Sequence, residues 1–414
     1  MTAEKIGIVA RSLMDENGNI TRGGAEKVVF WLAEFLASRG FEVTVYQAGK
    51  YDSSRKIGSF SVKTVRGGRV RWAVRLERIA LADEVRTLFY QDLSYAIRGS
   101  SGVRIVGISH GVYWDYPYVD TLKRWYPFGW LPSPLPRILL YMWRMWAKKR
   151  ELKGVRVCDL VLAFDSGLLR IVQSDYPSLR LKIVRVGPFS DINNEQFSEL
   201  QPNASSEVKE KRAQEAAGPE QRVLVPRNFS LSSGILLLPA IALALSKLAP
   251  NSQWVFYVAG RMSVAKKQGV DIDPRIFEDI SGSDLGFISN RIRFLGSLDS
   301  HDFAKELEAA TVVLIPTFAY EGACLAAVEA MSAGKAVVAS NIGGLNDTIV
   351  SGFNGLLSSP SPKSLAASLY LVLSDAELRA RLEAGATESS RHMKLEDWFD
   401  ELEHLPELKA ILER

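Results

Sequence analysis

The sequence predicts two doubly wound parallel α/β domains in tandem. Three observations carry that prediction. Strand-like apolar runs alternate with helical patterns in both halves of the chain, a polar stretch divides the halves, and 414 residues exceed what one ordinary core organises. The expected domains are 1–190 and 191–394, with a C-terminal helix over 395–414 packing back on the first. In such sheets ligands sit at the carboxyl ends of the strands, so the expected site is a cleft between the two domains.

In order, "KIGIVA" (Lys5 to Ala10) reads as a buried strand. The helix that follows starts at the glycine pair Gly23 and Gly24, carries Val28, Leu32, Phe35 and Leu36 at helical spacing, and stops at Gly40. A strand from Glu42 to Tyr46 completes a βαβ unit. Further strands are expected at 104–110, 159–165 and 182–188. From about Ser190 to Gln221 the composition is polar and poor in large apolar residues, as in a linker. Alternation then resumes. Strands are expected at "RVLVPRN", "QWVFYVAG", "RIRFLGS", "TVVLIPT" and "KAVVAS". Helices are expected at "GILLLPAIALALSKLAP" (bent at its proline), "DFAKELEAA", 320–334 and "SPKSLAASLYLVLSD".

Composition narrows the function classes. A net charge of +4, with no Lys/Arg block, does not point to a nucleic-acid partner. The two cysteines, Cys158 and Cys324, lie in apolar runs without metal-ligand spacing and read as buried thiols of a reducing compartment. "MTAEKIGIVARS" lacks the shape of a signal peptide, and no apolar run reaches the ~18 residues of a membrane span. A cytoplasmic protein is expected, with no metal and no cofactor.

The chemistry concentrates in "YEGACLAAVEAMSAGKAVVAS" (Tyr320 to Ser340). Glu321 follows a strand end, and Glu329 lies eight positions on, among Val328, Ala330 and Met331. In a continuous helix that spacing is about 12 Å, the scale of an extended nucleotide sugar from sugar ring to ribose. Carboxylates accept paired hydrogen bonds from vicinal hydroxyls. The intervening backbone N–H groups of Gly322, Ala323, Cys324 and Leu325, at a helix N-terminus, suit oxygen-rich ligands. The alternative is a dipole-stabilised Glu321 and an ordinary exposed Glu329.

"EGACLAAVEAMSAGKAVVASNIGGLND" resembles the E-x7-E region of retaining GT-B glycosyltransferases of family 4, and "RGGAEKVV" (Arg22 to Val29) resembles their N-terminal glycine loop. The resemblance spans both domains. It implies the GT-B fold, a nucleotide-sugar donor, and a glycan or lipid-linked glycan acceptor, in bacterial surface polysaccharide synthesis. It implies that Glu321 holds donor-sugar hydroxyls, that Glu329 binds the ribose, and that Gly23 and Gly24 approach the donor diphosphate. Arg227, at the end of "RVLVPRN", would neutralise that diphosphate. The family pairs this arginine with a lysine about six residues on, where this chain has Ser232 and Ser233. Arg261, Lys266 and Lys267 are candidates for the missing cation, or form a solvated basic loop. His110 ends a strand and takes the place of a family group near the reacting centre. Trp114, Asp115 and Tyr116 are acceptor-side candidates, with domain packing as the alternative. Asp165 is a weaker cleft candidate. The resemblance implies retention by front-face displacement, the leaving diphosphate taking the acceptor proton. The rival functions are a GT-B nucleotide-sugar epimerase and a catalytically silent binding subunit.

One stretch remains, "KRWYPFGWLPSPLPRILLYMWRMWAKKRELKGVR" from Lys123 to Arg156, whose single acid is Glu151. Trp125, Trp130, Trp143 and Trp146 sit among Arg137, Arg144, Lys148, Lys149 and Arg150. Two readings satisfy the pattern: peripheral docking through 123–156 at an anionic membrane, or a core helix with aromatics inward and basic heads snorkelling.

Overall fold

The computed structural model describes residues 3–14, 20, 23–67, 72–96, 102–112, 114, 131–192, 220–230, 232–260, 282–298, 300–319 and 321–413. The chain forms two compact units. One comprises residues 1–114, 141–187 and 399–414, the other residues 115–140 and 188–398. Among the described residues, 131–140 group with the second unit although they precede residue 190.

In the first unit the described strands are β1 (Lys5–Val9), β2 (Glu42–Gly49), β3 (Ser53–Ile57), β4 (Phe60–Arg66), β5 (Thr87–Tyr90), β6 (Arg104–Ser109), β7 (Leu160–Ala163) and β8 (Ile183–Arg185). Their order is β3-β4-β2-β1-β5-β6-β7-β8. All neighbours are parallel except β3 and β4, which are antiparallel. The order reverses direction between β1 and β5. Helix α1 (Gly24–Ser38) buries Val28, Leu32, Phe35 and Leu36, the positions its spacing selected. Helix α2 (Trp72–Ala82) follows β4, and α3 (Leu135–Val157) and α4 (Ser166–Asp175) flank β7. Asp165 is the N-cap of α4, its Oδ1 accepting from Gly167 N at 2.7 Å. This fully buried cap corrects its reading as a cleft residue. The C-terminal segment is two helices rather than one, Leu395–His404 and Pro406–Leu412. Phe399 lies against Phe35 and Trp31 of α1, Arg39 pairs with Glu403, and Gly187 N donates to Glu401 at 2.8 Å.

In the second unit the described strands are β9 (Gln221–Pro226), β10 (Trp254–Ala259), β11 (Ile292–Gly296), β12 (Val312–Ile315), β13 (Val337–Ser340) and β14 (Leu356–Ser358). They form a parallel sheet in the order β11-β10-β9-β12-β13-β14. From β9 the chain winds outward to β11, then returns past β9 and winds the other way from β12. The sheet thus has its topological switch point between β9 and β12.

Side chains alternate across this sheet. Val223, Val225, Phe256, Leu314 and Val338 join Leu238, Ile241, Leu245, Leu365 and Leu369 in one core. Leu224, Tyr257, Val313 and Ile315 join Ala327, Ala330 and Met331 in the other. The helix Leu238–Leu248 carries Pro239 in its first turn, where a missing N–H costs nothing, and a 3-10 turn over Ile235–Leu237 precedes it. Residues 193–219 of the expected linker lie outside the described residues.

Candidate functional site

Two side chains meet at the switch point of the second sheet. Arg227 immediately follows β9, and Glu321 lies on the loop after β12, the neighbouring strand. The guanidinium grips the carboxylate with both ends: Nη1 donates to Oε1 at 3.0 Å and Nη2 to Oε2 at 2.5 Å. Thr317 Oγ1 donates to the same Oε2 at 3.2 Å, and Arg227 Nη1 also reaches Cys324 Sγ at 3.3 Å. Burial works against the Arg227 charge, but Glu321 and Cys324 outweigh it and raise its pKa. The Cys324 thiol is pushed up to about 12, first by burial and then by Glu321, with Glu329 contributing further. It is therefore a neutral thiol with both glutamates in its electrostatic surroundings.

Backbone packing fixes this pair. Gly344 N donates to Glu321 O at 2.7 Å. Gly343 has φ +56°, and a Cβ there would stand 2.2 Å from Glu321 O. Gly343 and Gly344, in the quoted "NIGGLND", thus form a seat for the Glu321 loop. Gly260 does the same at the end of β10, where a Cβ would stand 2.2 Å from Arg227 O. Sequence reading missed Gly260. Its position just past a strand of a doubly wound sheet was the available signal.

The helix beyond Glu321 starts later than expected. It spans Leu325–Ser332 with Cys324 as N-cap, leaving Gly322 and Ala323 in the loop. Cys324 O already accepts from Ala327 N at 2.8 Å. The helical rise of about 12 Å between the glutamates therefore does not apply, because the first four residues are not helical. Glu329 is 5% exposed, which excludes its reading as an ordinary exposed residue.

Ser232 and Ser233 do not replace the family's lysine. Ser233 is buried, and its Oγ donates to Ser230 O at 2.8 Å, while Ser232 O accepts from Phe318 N at 3.1 Å. They form a turn that ties the β9 loop to the β12 loop. The alternative cations Arg261, Lys266 and Lys267 lie outside the described residues.

In the first unit, His110 follows β6. Its ring stacks on Phe164 at 5.9 Å, and it hydrogen-bonds the Gln91 backbone. Its Nε2 is buried with no partner among the described residues. Burial pushes its pKa down to about 4, against the effect of the Gln91 bond, so the ring is neutral near pH 7. Two glutamines unnoticed in the sequence order the segment after β1. Gln91 Oε1 accepts from Arg11 N at 2.7 Å, and Gln47 Oε1 accepts from Leu13 N at 2.6 Å. Gly23 caps α1 in an extended conformation, and Gly24 is the first helical residue. The atoms that a Cβ at Gly23 would meet first are those of the Glu26 carboxylate, the far end of a flexible side chain. Trp114 is buried, and its carbonyl accepts from Arg144 Nε at 2.9 Å, a packing role. Asp115 and Tyr116 lie outside the described residues. Among the described residues no cluster of three or more His, Cys, Asp or Glu could hold a metal ion.

The neutral His110 has a consequence for stability. Its folded pKa lies below its ordinary value of 6.5, so between those values the unfolded chain takes up a proton that the folded one refuses. The contribution is complete above pH 6.5 and declines as pH falls toward about 4. Melting temperatures over this window should fall less steeply for His110→Asn than for the parent. Parallel curves would show that the ring titrates normally.

The chain is similar to known proteins in part of its sequence and in its fold. Residues 241–389 match the family described as Glycosyl transferases group 1. That segment includes Glu321, Glu329 and the Gly343–Gly344 seat, but not Arg227. A D-inositol 3-phosphate glycosyltransferase from Frankia alni is 38% identical over 105 residues, which are 25% of this chain and 25% of that protein. The chain thus matches about a quarter of that curated relative's length. Sucrose-phosphate synthase from Thermosynechococcus elongatus superposes with a TM-score of 0.71 at 16% identity, over 99% of this chain and 100% of that one. Anabaena Alr3699/HepE, solved in complex with UDP-glucose, superposes with a TM-score of 0.68 at 18% identity, over 99% and 100%. The fold is GT-B, as the resemblance implied.

Proposed function

We propose that the protein is a retaining glycosyltransferase that moves a sugar from a nucleotide-sugar donor to a glycan or lipid-linked glycan acceptor, in the assembly of a bacterial surface polysaccharide. The carrying observation is the Arg227–Glu321 pair at the switch point of the second sheet. Ligands of doubly wound sheets bind at that crevice. The pair offers a fixed cation and a carboxylate, the two groups that a diphosphate and a polyhydroxylated sugar need. A donor diphosphate competes with Glu321 for the Arg227 guanidinium. The released carboxylate then accepts from the sugar hydroxyls.

In the reaction the anomeric C–O bond to the diphosphate breaks, and the acceptor hydroxyl bonds to the same face. Its proton passes to the departing diphosphate oxygen, whose charge Arg227 offsets. The motif resemblance assigns His110, a neutral ring near pH 7, to a family position near the reacting centre. The family match over 241–389 and the UDP-glucose complex of the HepE neighbour support this reading. Retention and the polysaccharide setting rest on the motif resemblance.

A thermal-shift series with UDP, GDP, dTDP and ADP, and with their sugars, tests it. At a hundred times its Kd, a ligand of the folded state adds about 2.7 kcal/mol of stability. One nucleotide series should raise the melting temperature of the parent by several degrees, and Glu329→Gln should weaken that binding at least tenfold. No shift with any nucleotide would overturn the reading. Product release without acceptor would indicate an epimerase, and binding without turnover a silent subunit.

A further inference from the structure

We propose that the outward face of α3 docks the protein on an anionic lipid bilayer, with the helix lying along the surface. The reading of this stretch as a core helix with inward aromatics is overturned by exposure. Tyr141 is 63%, Met142 60%, Met145 40% and Trp146 55% exposed. These are two adjacent pairs about one turn apart, and they lie within an arc of about 140° of the helix. Ile138, one turn earlier on that side, is also exposed. The next two turns of the same side carry Lys149, Lys153 and Arg156, all exposed.

The opposite side is firmly seated. Val155 is buried there, and a Cβ on Gly154 would stand 1.9 Å from Leu93 O; Leu152, seven positions after Met145 and so at the margin of the outward side, is buried as well. Arg150 Nε donates to Ser94 O at 2.9 Å, and its guanidinium stands 4.7 Å from the Tyr95 ring and 5.2 Å from the Trp146 ring. Trp146 is therefore braced while its ring faces water. The single acid of the helix, Glu151, is buried on the seated side.

A soluble chain rarely leaves this many large apolar side chains on one helix face. The combination of apolar and basic residues on one face selects the occupant. A second copy of the chain would set the basic half of the face against itself or against apolar side chains, since the helix offers no acid on that face. An anionic bilayer satisfies both halves: acyl boundary for the apolar side chains, headgroup charge for the lysines and arginine. Among the described residues no helix is long and apolar enough to cross a membrane, so α3 lies on the bilayer. Its 23 residues span about 34 Å. Trp125 and Trp130, which sequence reading included in the same surface, lie outside the described residues. This inference does not depend on the transferase reading.

The test is co-sedimentation of the full chain with phosphatidylcholine vesicles, with and without phosphatidylglycerol. Binding is expected to the anionic vesicles and to be at least tenfold weaker on the neutral ones. Each basic residue near an anionic surface strengthens binding about fivefold. The paired variants Met142→Ser with Met145→Ser, and Lys149→Glu with Lys153→Glu, should each reduce binding at least tenfold. Their melting temperatures should not change, because these side chains face solvent. No recovery on anionic vesicles would overturn the proposal, as would equal recovery on neutral ones. A lipid-free dimer abolished by the methionine pair would also overturn it and assign the face to a second copy.

Discussion

Glu321→Gln should abolish sugar transfer while the protein stays folded. The substitution removes the negative charge but keeps an acceptor oxygen for Arg227, which otherwise holds both carboxylate oxygens. A glutamine cannot accept paired bonds from sugar hydroxyls as a carboxylate does. Under the proposed role, kcat should fall at least a hundredfold, about 3 kcal/mol of lost transition-state stabilisation. Glu321→Ala is the less clean variant. It strands a guanidinium whose side chain is only 13% exposed, next to a neutral thiol. That should cost about 2–4 kcal/mol of stability, confusing loss of chemistry with loss of fold. Steady-state kinetics beside a melting curve separates the two. Transfer within threefold of the parent in Glu321→Gln would remove this residue from the site.

Arg227→Ala should act on donor binding and on stability together. With the guanidinium gone, the diphosphate loses a fixed cation, and no lysine stands at Ser232 or Ser233 to share the load. Donor affinity should fall at least a hundredfold, read by titration calorimetry with the nucleoside diphosphate that the thermal series selects. The Glu321 carboxylate also loses its partner in a half-buried setting. The expected destabilisation is about 2–3 kcal/mol, the low end for a broken buried pair because both side chains retain some exposure. Arg227→Lys keeps the charge but not the two-pronged grip and should fall between parent and alanine variant. Combined with Glu321→Gln, Arg227→Ala should destabilise less than the sum of the two singles, since neither group is then left facing a lost partner. Additive losses would mean that the pair does not couple.

Local periodicity served the sequence reading well in places and failed in others. α1 was legible because its apolar residues recur at helical spacing and Gly40 ends it, at φ +88°. β1, β9, β10 and β12 were legible as short apolar runs, because parallel strands are covered on both faces. The β3–β4 hairpin was not, because β3 is almost wholly exposed and polar. β5 was missed because it is only four residues long, with Thr87 and the apolar Leu88, Phe89 and Tyr90 between Arg86 and Gln91. The helix after Glu321 looked longer than it is, since "EGAC" has helix-compatible composition but is held as loop by the Gly344 contact to Glu321 O.

For the site, residue identities were readable and relationships were not. The pattern of strands and helices specified two doubly wound sheets, and the spacing of Glu321 and Glu329 marked the candidate segment. Those are local properties, set by side-chain period and backbone preference within a few residues. Tertiary packing decided that Arg227 and Glu321, 94 residues apart, form one bidentate pair. It also decided that Gly260 and Gly343 press on neighbouring backbone, that Ser233 is buried, and that α3 presents its aromatics to water. Each depends on which strands become neighbours and which helix face finds a partner. That is settled by burial across the whole unit, where the free energy of a contact does not depend on separation along the chain.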